Sequence, residues 1–292
     1  MVSRERKVEK NNETNEAQVN NSDGIIVLKN VSKKFGTNVV LDNVSLAVGE
    51  GKTTVVIGPS GCGKTVLIKH LIGLLRPSSG EVYFKKKRID NLSETELNKI
   101  RVHYGFLFQG GALFDSLSVA ENIMFPILQH CKIANWSEVE ELVKTKLAMV
   151  GLEGFQNFYP ASLSGGQRKR VALARAIALN PEVILYDEPT TGLDPIRSDI
   201  INELILKLQR ELGETTVVVT HDMTSAYKVA DRIIMLHHGK IIADGDADHI
   251  HNHPHPIVQQ FIKGQVSEDD LAVLRASGAV TQAQFLPRDF EE

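Results

Sequence analysis

The octapeptide Gly58-Pro59-Ser60-Gly61-Cys62-Gly63-Lys64-Thr65 constrains this chain more than any other stretch. It follows a β-branched run at residues 53–57 and precedes a segment with helical apolar spacing at residues 66–74. A strand, a glycine-rich loop and a helix form the setting in which G-x-x-x-x-G-K-[ST] indicates a phosphate-binding loop. Glycines let backbone N–H groups surround a polyphosphate, and the unpaired N–H groups of the helix face the same anion. The motif therefore predicts a nucleotide site in which Lys64 contacts the β- and γ-phosphates and Thr65 holds Mg²⁺.

The overall composition indicates a globular protein with an ordinary core. The chain has 292 residues, of which 42% are apolar and 24% charged, and its formal charge of −3 argues against a nucleic-acid-binding protein. Its two cysteines, Cys62 and Cys131, are too few for a disulfide framework and favour a reducing compartment. No apolar run reaches the roughly 18–20 residues of a membrane span, and residues 1–22 lack a signal-peptide core. We therefore expect a cytoplasmic chain, which can serve a membrane process only through another polypeptide that crosses the bilayer.

Changes in composition along the chain predict its domains. Residues 1–23 are rich in Asn, Glu, Lys and Gln, which is typical of a disordered arm. We expect one nucleotide-binding domain over residues 24–250, a helical subdomain inserted at about residues 110–172, and a C-terminal helical extension and tail over residues 251–292. Apolar alternation predicts antiparallel strands over residues 25–28 and 39–41. Phe35, just before the turn between them, is a candidate for stacking on an adenine ring, and a core or turn-packing role is the alternative.

A second candidate anion site lies at Ser164, Gly165, Gly166 and Gln167, before a helix predicted over residues 171–179. A serine and two glycines at the start of a helix can cap it and present N–H groups to an anion, as in the first loop. One terminal phosphate needs only one such cradle. A second cradle in a domain that binds a single nucleotide therefore requires an explanation.

Acidic and imidazole side chains follow two predicted buried strands. Asp187 and Glu188 end the apolar run 183–186, and His221 follows the β-branched run 215–220. An aspartate at the carboxyl end of a buried strand can hold Mg²⁺ beside bound phosphates, and the adjacent glutamate can orient the water that attacks the γ-phosphate. His221 fits a hydrogen bond to the γ-phosphate and that water, with a purely structural role as the alternative.

Two further stretches have a predictable local structure. Asp194 ends a loop before Pro195, which starts a helix predicted to end at Gly213. Histidines alternate at positions 249, 251, 253 and 255, a pattern that a metal site could produce. Because prolines interrupt them and no Cys, Asp or Glu completes a tetrahedral set, we favour a solvated loop. A helix pair is predicted over residues 257–263 and 267–275.

Six separated segments, in family order, resemble the ATP-binding-cassette ATPases. They are the phosphate loop GPSGCGKT, Gln109, the LSGGQ motif at residues 163–167, the acid-tipped strand VILYDE, the GLD sequence ending at Asp194, and His221. The resemblance covers residues 25–247 and implies an α/β P-loop NTPase fold with a RecA-like core, an antiparallel β subdomain and an inserted α-helical subdomain. It also implies a head-to-tail homodimer, in which Ser164, Gly165 and Gly166 of one protomer close over the γ-phosphate held by Lys64 of the other.

The same resemblance implies the ligands ATP and Mg²⁺ and a role for individual residues. Glu188 is the implied general base, and Gln109 is a magnesium ligand that senses the nucleotide. Thr65 and Asp187 complete the implied metal site, and Asp194 links the two active sites of the dimer. The implied catalytic set is Lys64, Gln109, Glu188 and His221. The implied nucleotide contacts are Phe35, Gly58, Pro59, Ser60, Gly61, Cys62, Gly63, Lys64, Thr65, Val66, Ser164, Gly165, Gly166, Gln167 and Asp194.

The stretches FQGGALFDSLSVAENI and RVALARAIALNPEVILYDEPTTGLDPI resemble more narrowly the ATPases of Mce/Mla-type phospholipid-trafficking transporters of Gram-negative envelopes. This resemblance implies a peripheral position on the cytoplasmic face of the inner membrane. It also implies two partners: an integral membrane permease and a lipid-binding MCE-domain protein. The loop from Gly110 to Phe114 lies where a coupling helix of the permease would dock, and its apolar residues fit such a contact. The alternative is that Leu113 and Phe114 fill the core of the helical subdomain.

Three other functions are open to a chain of this kind. Cassette ATPases of DNA repair or chromosome maintenance carry hundreds of coiled-coil residues between the two phosphate-binding motifs, and the stretch from Thr65 to Leu163 is far shorter. Ribosome-acting cassette proteins carry two cassettes and basic segments, whereas this chain has one cassette and an acidic balance. A cassette of an amino-acid or metal importer is the remaining alternative, against which only the glutamine-loop stretch and the tail argue.

Overall fold

The computed structural model describes residues 24–131 and 135–265, which form two β-sheets surrounded by helices. The strands are β1 (Ile26–Phe35), β2 (Asn38–Val48), β3 (Thr53–Ile57), β4 (Ser79–Phe84), β5 (Lys87–Arg88), β6 (Tyr104–Leu107), β7 (Val183–Asp187), β8 (Thr215–Val219), β9 (Arg232–His237) and β10 (Lys240–Gly245). The smaller sheet has the strand order β2-β1-β4-β5, and the larger has the order β10-β9-β3-β8-β7-β6.

The helices lie between these strands and at the end of the described chain. They are α1 (Lys64–Leu71), α2 (Glu94–Arg101), α3 (Val119–His130), α4 (Trp136–Met149), α5 (Gly165–Ala176), α6 (Pro195–Leu212), α7 (Met223–Val229), α8 (Ala247–His251) and α9 (Pro256–Lys263), with a short 3₁₀ turn at Pro160–Ser162. Helices α3 and α4 lie within the predicted helical insertion. Among the described residues, no helix combines the length and the apolar composition that crossing a bilayer requires.

The larger sheet is covered on both faces, which explains its unbroken apolar strands. Every residue of β3, β7 and β8 is buried. Val55 and Ile57 belong to an apolar cluster with residues of α3, α4, α5 and α6, whereas Val56 belongs to a second cluster with the smaller sheet and α1. Strands β6, β7, β8, β3 and β9 pair in parallel, so their carboxyl ends meet at one edge of the sheet.

The antiparallel strands predicted at residues 25–28 and 39–41 are present but much longer. They form a hairpin in which Phe35 pairs with Asn38 and Ile26 pairs with Val48. The solvent-facing half of the hairpin is polar on β1, with Lys33 and Lys34, so the apolar run at residues 25–28 marked only the buried start of that strand. The hairpin belongs to the smaller sheet rather than extending the phosphate-loop strand.

Two predicted helix boundaries were wrong. The helix predicted to start at residue 171 begins at Gly165, because Ser164 and Gln167 form a reciprocal cap. The Ser164 hydroxyl accepts from the Gln167 N–H at 3.3 Å, and the Gln167 side chain accepts from the Ser164 N–H at 2.8 Å. Such a cap offsets the low helix propensity of the two glycines in the first turn. The helix after the phosphate loop ends at Leu71, before Gly73 with its φ of +68°.

The prediction of a solvated loop at the alternating histidines was wrong in part. His249 and His251 lie in α8, whose first turn is capped by Asp246 accepting from the His249 N–H at 2.8 Å. His253 and His255 lie between α8 and α9. Within residues 24–131 and 135–265, no group of three or more His, Cys, Asp or Glu could hold a metal ion.

The start of the C-terminal extension packs on the core. Ile250 of α8 and Val258 of α9 are fully buried in the same apolar cluster as the central sheet. The predicted boundary at residue 250 falls inside α8. The helix predicted over residues 257–263 is present as α9, and the one predicted over 267–275 lies outside the described residues, as does the predicted N-terminal arm.

Glu214 is a buried acid at the base of the central sheet. It lies between Gly213, which ends α6, and the first residue of β8. The residue is 2% exposed, and neither carboxyl oxygen has a hydrogen-bond partner from another described residue. Burial raises the pKa of Glu214 from 4.5 to about 7.

Glu214→Gln is expected to remove a pH dependence of stability. Because folding raises this pKa, the stabilising proton is fully bound below about pH 4.5 and is lost as the pH rises through about 7. Each tenfold change in proton affinity corresponds to about 1.4 kcal/mol, so wild type should lose about 3 kcal/mol of unfolding free energy over this window relative to the variant.

Urea unfolding between pH 5 and pH 8 measures this difference. The matched control is Glu211→Gln, which changes an exposed glutamate at the end of the same helix. Wild type and the control should show the same pH dependence, and the Glu214→Gln curve should be flatter. Parallel curves for all three proteins would contradict the assignment of this titration to Glu214.

Candidate functional site

The phosphate loop connects β3 to α1 and depends on its glycines. Gly58, Gly61 and Gly63 have φ angles of +149°, +79° and +108°, a region that side chains rarely adopt. A Cβ atom on Gly58 would lie 2.1 Å from the Leu236 carbonyl oxygen, and one on Gly63 would lie 2.8 Å from that of Val40. A Cβ atom on Gly61 would meet nothing within 4 Å. The loop is therefore packed against backbone on one side and open on the other, as a loop that surrounds an anion requires.

Lys64 opens α1 and brings a positive charge to this loop. Its side chain is 7% exposed, and Nζ donates to the carbonyl oxygens of Gly58 at 2.7 Å and Pro59 at 3.1 Å. The same Nζ atom lies 3.9 Å from Glu188 Oε1. The ammonium and the free N–H groups at the start of α1 together favour a bound anion.

Thr65 and Asp187 place two oxygen ligands beside the loop. The Thr65 hydroxyl donates to Asp187 Oδ1 at 3.2 Å, across the gap between α1 and the end of β7. Burial is the main cause that raises the pKa of Asp187, and the neighbouring Glu188 carboxylate raises it further, while the Thr65 hydrogen bond lowers it. A divalent cation would offset this cost of ionisation, and hydroxyl and carboxylate oxygens are ligands that Mg²⁺ accepts. The residues present therefore fit a magnesium ion.

Glu188 follows Asp187 and has an oriented carboxylate. Its Oε2 atom accepts from the Thr191 hydroxyl at 3.1 Å and lies 2.8 Å from His221 Nδ1. The residue is 8% exposed and has a φ of +51°, a backbone angle that is unusual for a residue other than glycine. His221 is about half exposed, so its ring bridges the buried carboxylate and the open side of the site. Two side chains therefore hold the Glu188 carboxylate in one orientation.

The register of the central sheet explains why these residues meet. Asp187 pairs with Val219 on β8, and Val219 pairs with Val56 on β3, one residue before the strand ends. The phosphate loop, the acid pair and His221 therefore leave the sheet at the same level. The predicted residues Lys64, Thr65, Asp187, Glu188 and His221 are brought together as one cluster.

Gln109 lies two residues beyond the end of β6 and begins an apolar loop. Its side chain is exposed, and its backbone carbonyl accepts a hydrogen bond from Lys169 Nζ. Leu113 packs against the central apolar cluster, whereas Phe114 is 41% exposed and lies 4.7 Å from the ring of Phe125. The loop was predicted either to contact a permease or to fill the core of the helical subdomain. Leu113 packs on the core, and Phe114 faces solvent, where a partner can reach it.

The second cradle, at Ser164 to Gln167, has its contacts elsewhere in the described part of the chain. Ser164 and Gln167 bond to each other at the start of α5, and ideal Cβ positions on Gly165 and Gly166 lie nearest to Leu193 at 3.7 Å and Arg197 at 3.6 Å. Among the described residues, no hydrogen bond or ion pair joins Ser164, Gly165, Gly166 or Gln167 to the phosphate loop. Asp194 caps α6, accepting from the Arg197 N–H at 2.9 Å.

A groove borders the phosphate loop, and Phe35 lies outside its lining. Phe35 is 49% exposed at the end of β1, with the Lys33 ammonium 5.1 Å from its ring centroid, so it is not a core residue. A groove of about 910 Å³ is lined by Pro59 to Cys62, the start of β2, the β9–β10 turn and α9. Burial raises the pKa of the Cys62 thiol. Val66 lies half-buried in the first turn of α1.

Sequence reasoning missed three contributors to this site. Thr191 holds the Glu188 carboxylate, Lys169 reaches the backbone of Gln109 and Glu188, and α9 lines the groove. A sequence signal for Lys169 was available: Ala172 and Leu173 follow it at helical spacing, which places the lysine on the apolar face of the helix. All three residues are buried in the structure. Nothing in the local sequence around α9 indicates that it lies near the loop.

Comparisons with known proteins agree with this geometry. The family model described as ABC transporter matches residues 41–191. The intermembrane phospholipid transport system ATP-binding protein MlaF of Haemophilus influenzae is 42% identical over 241 residues, which is 82% of this chain and 91% of that protein. The probable ribonucleotide transport ATP-binding protein mkl of Mycobacterium bovis is 39% identical over 240 residues, which is 82% of this chain and 67% of that protein.

A solved structure supports the same assignment. The dimeric post-hydrolysis state of the ATP-binding cassette MJ0796, bound to ADP and Pi, has a TM-score of 0.71 and 39% identity, covering 76% of this chain and 98% of that one. The predicted P-loop ATPase fold is therefore confirmed. The chain belongs to the ABC transporter family and is one of its ATP-hydrolysing cassettes.

Proposed function

We propose that this chain is the motor subunit of a phospholipid transport system, in which two copies hydrolyse ATP and drive a separate membrane permease. The observation that carries the proposal is the cluster of Lys64, Thr65, Asp187, Glu188 and His221 at one edge of the sheet, with a second anion cradle elsewhere on the chain. The cluster supplies ATP chemistry. The separated cradle indicates that a second subunit completes the site.

Each residue of the cluster has a distinct task in this proposal. Lys64 and the loop N–H groups hold the β- and γ-phosphates, and Thr65, Asp187 and Gln109 hold Mg²⁺. When bound, Mg²⁺ neutralises charge on the phosphate oxygens. Glu188 accepts the proton of the attacking water, because its Oε2 atom is held in place by Thr191 and His221. His221 is the half-exposed side of this pair and contacts the γ-phosphate and the water.

The nucleoside occupies the groove beside the loop. Phe35 offers an exposed ring on which adenine stacks. Cys62 lines the groove, and Val66 in the first turn of α1 contacts the phosphates in this proposal. The volume of about 910 Å³ leaves ample room for a nucleoside.

The proposed dimer is head-to-tail. Ser164, Gly165 and Gly166 of one protomer close over the γ-phosphate held by Lys64 of the other, and Gln167 supports the cradle through its cap. Asp194 lies at the start of α6, next to the glycines of the cradle, and links the two active sites. The dimeric state of the MJ0796 cassette supports this arrangement.

The exposed aromatic surface of the glutamine loop is the proposed permease contact. Residues 110–114 lie along α5, and the ring of Phe114 is tilted against that of Phe125 and is 41% exposed. Such a surface fits the apolar side of a permease helix. The motor would then lie on the cytoplasmic face of the inner membrane, and an MCE-domain protein would bind the lipid.

We infer the transported substrate from the name of a relative. The MlaF relative acts in phospholipid transport by its name, and it is 42% identical over 82% of this chain. The mkl relative, at 39% identity, is named for ribonucleotide transport, which makes a nucleotide the second candidate cargo. An amino-acid or metal importer remains the third.

Glu188→Gln is expected to stop turnover while ATP binding persists. The amide cannot accept the proton of the attacking water, so kcat should fall by at least about 100-fold. ATP should still bind within a few-fold of wild-type affinity and should trap a dimer, measured by light scattering with and without ATP. Glu153→Gln, at an exposed glutamate, is the control and should behave as wild type. Turnover unchanged in Glu188→Gln would remove this residue from its role.

Ser164→Arg is expected to block dimer closure and leave ATP binding by the monomer intact. The matched control is Ser118→Arg, because Ser118 caps α3 with the same reciprocal bonding to Glu121. Both variants lose about 1 kcal/mol of capping stability. Only Ser164→Arg should lose ATP-dependent dimerisation and at least about 10-fold of turnover. Loss of ATP binding by the Ser164→Arg monomer would disprove a cradle that acts across the dimer.

Affinity purification of the full-length chain from its own membranes tests the partner and the cargo. Wild type should retrieve a polytopic permease and an MCE-domain protein, Phe114→Glu should lose both, and Trp136→Glu, at an aromatic side chain that is 60% exposed, should keep both. In vesicles, the complex should move a fluorescent phospholipid only when ATP is present. Retrieval of an amino-acid- or metal-binding protein, or ATP turnover stimulated by ribonucleotides and not by phospholipid, would overturn the lipid assignment.

A further inference from the structure

Lys169 is a buried lysine that the roles proposed above do not use. It lies in the second turn of α5 and is 7% exposed, and burial lowers its pKa. Its Nζ atom donates to the backbone carbonyl oxygens of Gln109 at 2.5 Å and Glu188 at 3.2 Å. Burying an ammonium is costly, and hydrogen bonds to carbonyl oxygens compensate for that cost only in part. A lysine at such a position therefore requires a reason beyond packing.

The two carbonyl groups belong to segments with different tasks. Gln109 begins the loop that is the proposed permease contact, and Glu188 is the proposed general base. The two residues are far apart in sequence, and the Lys169 ammonium is the group that bonds to both backbones. The Glu188 carbonyl also accepts from the Thr191 N–H at 3.3 Å, a longer contact.

The backbone of Glu188 needs such support. With a φ of +51°, it has a backbone conformation that is unfavourable for a residue other than glycine. That conformation directs the carboxylate to Thr191 and His221. An ammonium on the carbonyl side of the same residue opposes rotation of the peptide, so it helps to keep the carboxylate in place.

The loop is fastened to the same helix at a second point. Arg175 of α5 donates to the carbonyl oxygens of Gly111 and Ala112, each at 2.8 Å, and its guanidinium lies 5.7 Å from the ring centroid of Phe114. The loop therefore follows α5 from Gln109 to Phe114. Through its two hydrogen bonds, Lys169 connects the first residue of the loop to the backbone of Glu188.

We propose that Lys169 is a positioning residue that joins the permease-contact loop to the catalytic glutamate, so that docking of the permease sets the position of Glu188. This inference rests on the proposed roles of Glu188 and of the loop. Lys169 touches neither nucleotide nor water in this proposal and acts through the two carbonyl groups. The link is made within one chain, so it is distinct from the cradle that acts across the dimer.

Lys169→Met tests the inference in the full-length chain assembled with its permease. Methionine keeps a similar length and removes the donor, which leaves the two carbonyl groups without this partner. We expect kcat to fall at least 10-fold, with KM and the Kd for ATP within 3-fold of wild type, and stimulation by the permease to be lost. ATP-dependent dimerisation should persist.

Lys146→Met is the matched control for a purely structural effect. Lys146 is 3% exposed in α4, burial lowers its pKa, and its Nζ donates to Asn180 Oδ1 at 2.6 Å. Both variants should lower the melting temperature, and only Lys169→Met should lower kcat. Wild-type kcat in Lys169→Met, or a fall in kcat no larger than that of Lys146→Met, would overturn the inference.

Glu188→Gln in the same assay separates the two proposals. If Glu188→Gln is inactive and Lys169→Met turns over as wild type, the positioning role fails and the proposed function stands. If Glu188→Gln keeps its turnover, the proposed function fails, and the positioning role fails with it because Glu188 is then not the base.

Discussion

Parallel pairing of the central strands is the constraint on which the site depends. Because β3, β8 and β7 run in the same direction and in matched register, the phosphate loop, His221 and the acid pair leave the sheet at one edge. Both faces of the sheet are buried, so the register cannot slip by one residue without exchanging the two apolar clusters. The precision of the site is thus a consequence of core packing.

The site contains buried charged groups, and burying each of them would be costly without a partner. Asp187, Glu188, Lys64 and Lys169 are all less than 9% exposed. Each has a partner: Lys64 bonds to loop carbonyls, Asp187 to Thr65, Glu188 to Thr191 and His221, and Lys169 to two backbone carbonyls. The pKa of Asp187 is nevertheless raised, chiefly by burial, and a bound cation would reverse that effect. The side chains of the site are therefore held in place without ligands, and a bound cation would balance the buried negative charge.

Helix α5 connects the parts of the molecule that must act together. Its first turn carries the second anion cradle, its second turn carries Lys169, and Arg175 near its end holds the apolar loop. Because these groups lie on one continuous helix, its backbone fixes their positions relative to one another. The Ser164–Gln167 cap fixes where the helix begins, and with it the position of the cradle.

The sequence by itself determined the features that depend on local backbone chemistry. The phosphate loop, the start of α6 at Pro195 and its end at Gly213 follow from the conformations that glycine and proline allow. The positions of the acid pair and of His221 were also predictable, because each follows an apolar run and parallel strands carry functional groups at their carboxyl ends. The meeting of Lys64, Thr65, Asp187, Glu188 and His221 was thus predictable as a group.

Only the tertiary structure decided which distant groups share a cavity or a hydrogen bond. Local patterns did not reveal that Lys169 reaches two loops, that the Glu214 carboxyl is buried with no hydrogen-bond partner among the described residues, or that α9 lines the groove beside the phosphate loop. His249 and His251 were expected in a loop because prolines interrupt the run of histidines, but they lie in a short helix whose Ile250 packs in the core. Contacts of this kind depend on how separate segments fill a common interior, and burial energies that decide them are not visible in the residues of one segment alone.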